Sequence, residues 1–234
     1  MTAGPTREHL DDVRVLSNGA TGRQGILLAR AALRRGWQVR LVLGPTGLAA
    51  PRGVALTRVT SAAEMLAAAR VAARGADLVI FSAAPADWRP RRRLRGKPPK
   101  GRGPARLDLV PTPDIAATLG RTKGRRVHVG FALEAGMESL PRALGKLVRK
   151  RFDALLLNTP ENLGPGGGLA LWIEPQRLGL HLPVADLEPL PTESKARLAR
   201  ALLARAEALC ARARLGPRSR IQATGPEAGP ASRS

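Results

Sequence analysis

Gly19, Gly22 and Gly25 recur at three-residue steps between a short apolar run and a predicted helix. Glycine permits tight turns and lets the backbone come close to a ligand, so this spacing predicts a turn around a bound group. The helix that follows would point its free N–H groups and its positive dipole end at that group. The pattern therefore predicts a phosphate site. Asn18 lies beside it, where its amide could donate to a developing oxyanion or could simply form a turn.

A second set of residues able to do chemistry lies between Ser82 and Pro90. Small side chains such as Ala84 would let a flat ligand approach the end of a preceding strand. Asp87 is a carboxylate in a very basic stretch, and carboxylates hold Mg²⁺ against phosphate groups. The residues alone leave open that Asp87 is a helix cap or an ion-pair partner of Arg89.

Alternating strand and helix patterns must position these groups. Strands are predicted at 13–16, 38–43, 54–59, 77–82, 107–110, 126–131 and 154–157, with a hairpin at 169–173 and 178–182. Helices are predicted at 24–35, 62–74, 115–119, 140–151 and 192–214. This alternation predicts an α/β protein with a doubly wound, mostly parallel, Rossmann-like sheet and an added β-hairpin. Ligands of such sheets bind at the carboxyl ends of the strands.

Composition bounds the domain organisation of the 234-residue chain. We expect an N-terminal segment at 1–12, an α/β domain at 13–214 and a disordered basic tail at 215–234. The chain has no apolar run long enough to span a membrane, and its first residues lack the apolar segment of a secretory signal. A single cysteine excludes an internal disulfide framework. A cytoplasmic location is the expectation.

The net charge of +21 favours anionic partners, which include nucleotides, phosphorylated metabolites and nucleic acid. Aromatic residues make up 3% of the chain, too few for the base stacking of typical single-strand binding modules, so nucleic acid is not the expected partner. Binding of nucleic acid through 89–106 and the tail stays an alternative. The glycine turn is similar to that of extended short-chain dehydrogenases. These enzymes use a Tyr base, however, and this chain has no Tyr.

Several segments occur in an order that resembles one family. They are Ser17-Asn18-Gly19, Ala84-Pro85-Ala86-Asp87-Trp88-Arg89-Pro90, Gly96-Lys97-Pro98-Pro99-Lys100, Leu109-Val110-Pro111-Thr112-Pro113-Asp114-Ile115, Val129-Gly130-Phe131-Ala132-Leu133-Glu134 and Leu156-Leu157-Asn158. Together they resemble the phosphopantothenoylcysteine synthetase domain of the DNA/pantothenate metabolism flavoprotein family, over about 13–209. The resemblance implies a ligase of coenzyme A biosynthesis. Members activate 4′-phosphopantothenate with CTP, or ATP in some eukaryotic forms, and cysteine then attacks the acyl-cytidylate. It also implies Mg²⁺, a homodimer and a separate decarboxylase partner.

The resemblance implies roles for individual residues. Asn18 and Lys97 are the expected catalytic residues. Nucleotide contacts are expected from Gly19, Gly22, Gly25, Ala84, Asp87, Lys100, Asp114 and Phe131. Asn158 is expected to bind substrate together with Asn18, and Asp87 is expected to hold the metal ion. The residues themselves leave open a solvated loop for the lysines, a plain N-cap for Asp114 and a core position for Phe131.

The chain also departs from the family pattern. Lys97-Pro98-Pro99-Lys100 stands where the family has K-I-K-K, and Thr159 replaces the Asp of the A-N-D motif. Gly-rich residues at 164–168 replace an F-x-S-D-x-N stretch. The alternative hypothesis is therefore a divergent nucleotide-binding or regulatory module of the same fold without ligase activity.

Overall fold

The computed structural model describes residues 1–99, 101, 107–134, 140–160, 168–175 and 185–214. The strands within them are β1 (Thr2–Ala3), β2 (Arg7–His9), β3 (Val15–Ser17), β4 (Arg40–Leu43), β5 (Ala55–Arg58), β6 (Leu78–Phe81), β7 (Trp88–Pro90), β8 (Leu109–Pro111), β9 (Val127–Leu133), β10 (Ala154–Asn158), β11 (Ala170–Pro175) and β12 (Ala185–Pro189). The helices are α1 (Arg23–Arg34), α2 (Ala62–Ala72), α3 (Ile115–Arg121), α4 (Leu140–Arg149) and α5 (Lys195–Arg214). None of these helices is apolar over a length that could cross a membrane.

Eight strands form the main sheet in the order β12-β11-β10-β9-β6-β1-β4-β5. The six strands from β10 to β5 are parallel, whereas β11 and β12 are antiparallel additions at one edge. The chain builds outward from β1 in one direction and then restarts at β6 in the other. This topology confirms the predicted doubly wound, Rossmann-like sheet. The carboxyl ends of β1 and β6 form its switch point, where such folds bind ligands.

The prediction of the first sheet strand at 13–16 is wrong. Thr2–Ala3 is the central strand, and both residues are buried. Val15–Ser17 instead pairs antiparallel with Arg7–His9 in a separate two-stranded sheet. The sequence pattern does not predict Thr2–Ala3 as a strand, because two small residues make no apolar run. Residues 1–12, expected to lie outside the domain, therefore contribute a central strand of the sheet.

Helices cover both faces of the main sheet. Apolar side chains of α2, α3 and α4 pack on one face, and those of α1 and α5 pack on the other. Strand β10 is buried on both sides, since Leu155 and Leu157 face the first group while Ala154 and Leu156 face the second. This double burial is typical of a parallel sheet with two helical layers. It makes the strand ends a firm base for a binding site.

The predicted hairpin is confirmed at its first strand, which is β11. Its predicted second strand at 178–182 lies outside the described residues, and β11 pairs in the structure with β12. The predicted turn at 164–168 lies outside them except for Gly168, and the tail at 215–234 lies wholly outside. Within 89–106, where no core element is expected, Arg89 and Pro90 belong to β7, which pairs with β8 away from the main sheet.

Candidate functional site

Backbone contacts join the two segments that follow β1 and β6 and line the crevice between the ends of these strands. Beyond the strands, Pro5 and Ala84 form a parallel bridge, and the Ala84 N–H donates to Gly4 O at 3.0 Å. Thr6 follows and is fully buried. Its Oγ1 accepts a hydrogen bond from the Ala86 N–H at 3.0 Å. The two segments that line the switch point therefore hold each other in place.

Two of the three predicted glycines, Gly22 and Gly25, allow the start of α1 to pack closely against this crevice. Gly22 is the N-cap of α1 with φ of 75°, and a Cβ there would lie 3.1 Å from Gly4 Cα. A Cβ on Gly25 would lie 2.4 Å from Ala3 Cβ and 2.6 Å from Ser82 Oγ. Gly22 provides no side-chain cap for α1. The Arg23 N–H donates to Thr21 Oγ1 at 3.3 Å, whereas the Gln24 and Gly25 N–H groups have no described partner and are available to an anion. Gly19 differs, because a Cβ there would meet nothing described within 4 Å.

Asn18 lies directly after β3, and its amide bridges back to the crevice. Its Nδ2 donates to Ala84 O at 3.1 Å and to Pro85 O at 2.9 Å. Those two bonds use both amide protons, and the reverse orientation would set Oδ1 against two carbonyl oxygens. The side chain thus presents a hydrogen-bond acceptor. The expected donation from this amide to an oxyanion does not fit this arrangement.

A cavity of about 160 Å³ opens beside the crevice and brings together three of the predicted nucleotide-binding residues, Asp87, Asp114 and Phe131. The Asp87 side chain is exposed, and its backbone oxygen accepts from the Thr112 N–H at 2.9 Å. Thr112 Oγ1 also donates to Ala86 O at 2.6 Å. These bonds join the two motif segments that sequence reasoning treated separately.

Asp114 has both of the roles weighed for it, because it caps a helix and lines the cavity. Its Oδ1 accepts from the Ala117 N–H at 3.0 Å, and its Oδ2 lies 3.0 Å from Lys150 Nζ. Partial burial alone would raise the pKa of Asp114, but the Ala117 N–H and the Lys150 ammonium together hold it below its usual value. The carboxylate is therefore ionised and oriented.

Lys150 is the cavity residue that sequence reasoning missed. It lies between α4 and β10, lines the cavity and is only partly exposed. Its cation faces a space that also holds two carboxylates, Asp87 and Asp114, which is an arrangement suited to phosphates with a bound cation. The signal was hidden because Lys150 is one of many basic residues in Lys146–Arg151.

Phe131 also lines the cavity but packs mainly as core. It follows Val127 and Val129 on one face of β9, and it contacts the apolar cluster beneath α5. Gly130 lies between Val129 and Phe131 in β9. The Phe152 ring fills the space beside Gly130, since a Cβ on that residue would lie 2.1 Å from the ring. The core interpretation of Phe131 therefore holds together with its place at the cavity.

Two further predicted residues, Lys97 and Asn158, are absent from the lining of this cavity. Lys97 is exposed and is not part of the described lining, and Lys100 lies outside the described residues. Asn158 ends β10, where its backbone oxygen accepts from the Glu134 N–H at 2.9 Å. Thr159, which replaces an expected Asp, uses its hydroxyl to accept from the Leu169 N–H at 3.1 Å.

Glu134 forms a second buried polar group that sequence reasoning left without a role. Its carboxylate is 4% exposed and bonds to Lys146 Nζ at 2.6 Å, with Arg142 at 3.4 Å. The pairing neutralises a carboxylate at the end of β9 and ties that strand to α4. Glu134 therefore holds in place the helix that leads to Lys150.

Within the described part of the chain, no cluster of three or more His, Cys, Asp or Glu side chains could hold a metal ion by itself. Asp87 nevertheless fits Mg²⁺, which proteins commonly bind through one or two carboxylates together with substrate phosphates and water. No described residue pairs with the Asp87 carboxylate, whereas Asp114 is already engaged. Asp87 is therefore the better ligand of the two.

A larger cavity of about 480 Å³ lies at the opposite, amino end of the strands. Four of its charged lining residues form ion pairs, Arg35 with Glu207 and Arg214 with Asp77, and Arg40 donates to the backbone oxygens of Ala72 and Arg74. It contains none of the predicted site residues. Because ligands of doubly wound sheets bind at the carboxyl ends, we assign the site to the smaller cavity.

Known proteins are similar to this chain in sequence and in fold. The chain is 39% identical over 170 residues to the coenzyme A biosynthesis bifunctional protein CoaBC of Bacillus subtilis (strain 168), covering 72% of this chain and 41% of that protein. It is 43% identical over 170 residues to a cysteine/cysteine sulfinic acid decarboxylase of an unknown prokaryotic organism, covering 72% of this chain and 47% of that protein. The chain thus spans less than half the length of these relatives.

Among solved structures, the crystal structure of the C-terminal domain of CoaBC matches with a TM-score of 0.73 and 31% identity, over 89% of this chain and 92% of that one. A Cab2 mutant in complex with phosphopantothenate-cysteine matches with a TM-score of 0.63 over 90% of this chain and 86% of that one, and its 18% identity shows the fold alone. Residues 1–209 match the family described as the DNA/pantothenate metabolism flavoprotein C-terminal domain. The chain belongs to that family.

Proposed function

We propose that the protein is a phosphopantothenate–cysteine ligase that works through an acyl-nucleotide intermediate, with CTP as its nucleotide. The observation that carries the proposal is the convergence of Asp87, Asp114 and Lys150 on one cavity, with Asn18 fixed at the adjoining switch point. The family membership and the CoaBC relatives support the same activity.

The cavity residues would bind and orient the nucleotide. Lys150 and the Gln24 and Gly25 N–H groups at the start of α1 provide positive ends for phosphate oxygens. Asp87 would hold Mg²⁺, which when bound neutralises charge on the phosphates. Asp114 orients Lys150 through their ion pair. Because Lys150 and Asp114 are fixed before the reaction, less free energy is needed to position the carboxylate of 4′-phosphopantothenate. That carboxylate would attack the α-phosphate of CTP, the bond to the β-phosphate would break, and pyrophosphate would leave.

Asn18 would act in the second half of the reaction. Because its Nδ2 is already bonded to Ala84 O and Pro85 O, its Oδ1 is the atom left for a ligand. An amide oxygen can accept a hydrogen bond from an amine N–H, so we assign Asn18 Oδ1 to orient the amine of cysteine as it attacks the acyl group. CMP would then leave.

The proposal extends to location and partners. It includes a cytoplasmic enzyme that forms a homodimer and passes its product to a separate decarboxylase. The separate decarboxylase is the partner that the family resemblance implies. Nucleic acid is not part of the proposed reaction.

Product formation tests the activity. Purified protein with CTP, Mg²⁺, 4′-phosphopantothenate and cysteine should yield phosphopantothenoylcysteine, detected by mass spectrometry. Omitting cysteine should abolish the product. Asn18→Ala should lose product while calorimetry still detects nucleotide binding. Absence of product from the wild-type protein, under conditions where a CoaBC relative is active, would contradict the proposal.

A second function, nucleotide binding without ligation, is favoured by one observation. The hydroxyl of Thr159 accepts a hydrogen bond from the Leu169 N–H, at the position where the family pattern has an Asp. A binding module would bind CTP in calorimetry and release no pyrophosphate. Thr159→Asp then offers a discriminating variant, because a gain of turnover would identify a ligase that has lost this group.

A further inference from the structure

A strongly basic segment at 91–97, here called the arm, follows β7 and ends at Lys97. The arm carries several arginines and no acid. The like charges within such a segment repel one another, so an anion from outside the segment is needed to hold it in one position. Its order therefore depends on carboxylates supplied by another part of the chain.

Asp12 supplies that anion from the turn between β2 and β3. Its Oδ2 accepts the Gly96 N–H at 2.6 Å, and its Oδ1 lies 2.8 Å from Arg93 NH2. Hydrogen bonding from the Gly96 N–H, helped by Arg93, holds the pKa of Asp12 below its usual value. One carboxylate thus holds the arm at two points, and the second point is the residue before Lys97.

Backbone bonds join the same two segments. The Asp12 N–H donates to Gly96 O at 3.3 Å, and the Leu94 N–H donates to Leu10 O at 2.9 Å. Gly96 has φ of 64°, a left-handed conformation that turns the chain sharply before Lys97. The direction in which Lys97 leaves the surface is therefore set where Asp12 binds.

The neighbouring Asp11 has a different task. It is buried, and it accepts the Arg14 N–H at 2.6 Å and the Val13 N–H at 2.8 Å. Those bonds, led by the Arg14 N–H, lower the pKa of Asp11 to about 2. Asp11 shapes the turn, and the turn presents Asp12 to the arm.

We propose that Asp12 is a positioning residue for Lys97. Asp12 would fix the arm, and with it Lys97, to the β2–β3 hairpin, which is followed directly by Asn18. The proposal rests on the proposed ligase function. Lys97 lies outside the described cavity lining, and its role there is the one that the family resemblance implies, to supply positive charge to the phosphates or to the intermediate. Asp12 does not touch the substrate and acts through the arm.

The test compares Asp12→Ala with Asp108→Ala as a matched control. Asp108 lies before β8, and its backbone oxygen accepts the Arg91 N–H, but no described residue bonds its side chain. Both variants remove one exposed carboxylate from the same basic surroundings. Hydrogen exchange of the Leu94 and Gly96 amides should speed up about tenfold in Asp12→Ala and stay unchanged in Asp108→Ala. Equal exchange in both variants would overturn the tether.

Kinetics then test the connection to Lys97. We expect Asp12→Ala to lower kcat/KM about tenfold, and we expect no further loss when Asp12→Ala is added to Lys97→Ala. Asp12→Asn, which keeps an acceptor for the Gly96 N–H, should recover part of the activity. An additive loss in the double variant would refute the positioning role. If wild type shows no ligation, the exchange result still decides the tether, and the failure is that of the proposed function.

Discussion

Replacing Gly25 by alanine should loosen the contact between α1 and the central strand. The new Cβ would lie 2.4 Å from Ala3 Cβ and 2.6 Å from Ser82 Oγ, whereas carbon atoms in contact prefer about 3.5–4.0 Å. Ala3 is fully buried and cannot move aside. The start of the helix must therefore shift outward by roughly 1 Å. This shift also moves the free N–H groups of α1 away from the crevice.

The expected size follows from two opposing effects. Overpacking of a filled core costs about 1–3 kcal/mol. Alanine gains up to about 1 kcal/mol over glycine inside a helix, and this gain is smaller in the first turn. We expect the free energy of unfolding of Gly25→Ala to fall by about 1–2 kcal/mol. Gly25→Val should be worse, because it adds two further carbon atoms at the same contact.

Urea unfolding followed by tryptophan fluorescence measures this change, since Trp172, one of the three tryptophans, is 2% exposed in the folded protein. Gly19→Ala is the control, since a Cβ at Gly19 would meet nothing described within 4 Å. It should alter the unfolding free energy by less than about 0.5 kcal/mol. If Gly25→Ala proves as stable as Gly19→Ala, the packing of α1 on β1 described above is incorrect.

Three further predictions address other contacts. Lys150→Met should weaken CTP binding about tenfold in calorimetry by removing a charged contact, while Arg149→Met, an exposed neighbour outside the described lining, should not. Thr6→Val should lower the free energy of unfolding in urea by about 1–3 kcal/mol because the Ala86 N–H loses its buried acceptor, and Thr6→Ser should restore it. His128 is fully buried without a described partner for either ring nitrogen, and burial, followed by the Lys123 and Arg126 charges, lowers its pKa to about 3. The unfolded state then binds the extra proton, so stability should fall as pH drops from about 6.5 toward 3, by at most about 1.4 kcal/mol per unit. His128→Leu should flatten that dependence in urea titrations at pH 5.0 and 6.5, and an unchanged slope would contradict it.

Much of the fold follows from local patterns in the sequence. Ser61 caps α2, since its Oγ accepts the Glu64 N–H at 3.2 Å, and the helix begins at Ala62 as predicted. The apolar run that predicts a central parallel strand is β6. The stripe Leu198, Leu202 and Ala206 is buried in α5. These elements are predictable because their side chains alone determine which face is buried.

The first strand was not predictable in this way. Thr2–Ala3 is held by its neighbours β4 and β6 and by the close approach of Gly25, and none of these contacts leaves a periodic pattern. The apolar run Val13–Leu16 fits the pattern of a buried strand instead, although Val13 and Val15 are exposed in the hairpin. Because residues 7–17 are inserted between β1 and α1, the glycine turn does not directly follow the central strand.

The candidate site was predictable only in part. Asp87 and Asp114 came from motifs, and their meeting at one cavity agrees with the resemblance. Lys150 could not be found, because a lysine in a basic helix end carries no distinguishing pattern. The hydrogen-bonding role of Asn18 depends on two carbonyl groups far away in the chain. Sequence order does not reveal which of its amide atoms is left for a ligand.

Pyrophosphate release measured before and after the addition of cysteine tests the central claim most directly. The protein is mixed with CTP, Mg²⁺ and 4′-phosphopantothenate, and cysteine is added later. We predict about one pyrophosphate per active site before cysteine, then continuous release after it. Asn18→Ala should show the first phase without the second. CTP binding without any pyrophosphate that depends on 4′-phosphopantothenate would contradict a ligase and leave a nucleotide-binding module.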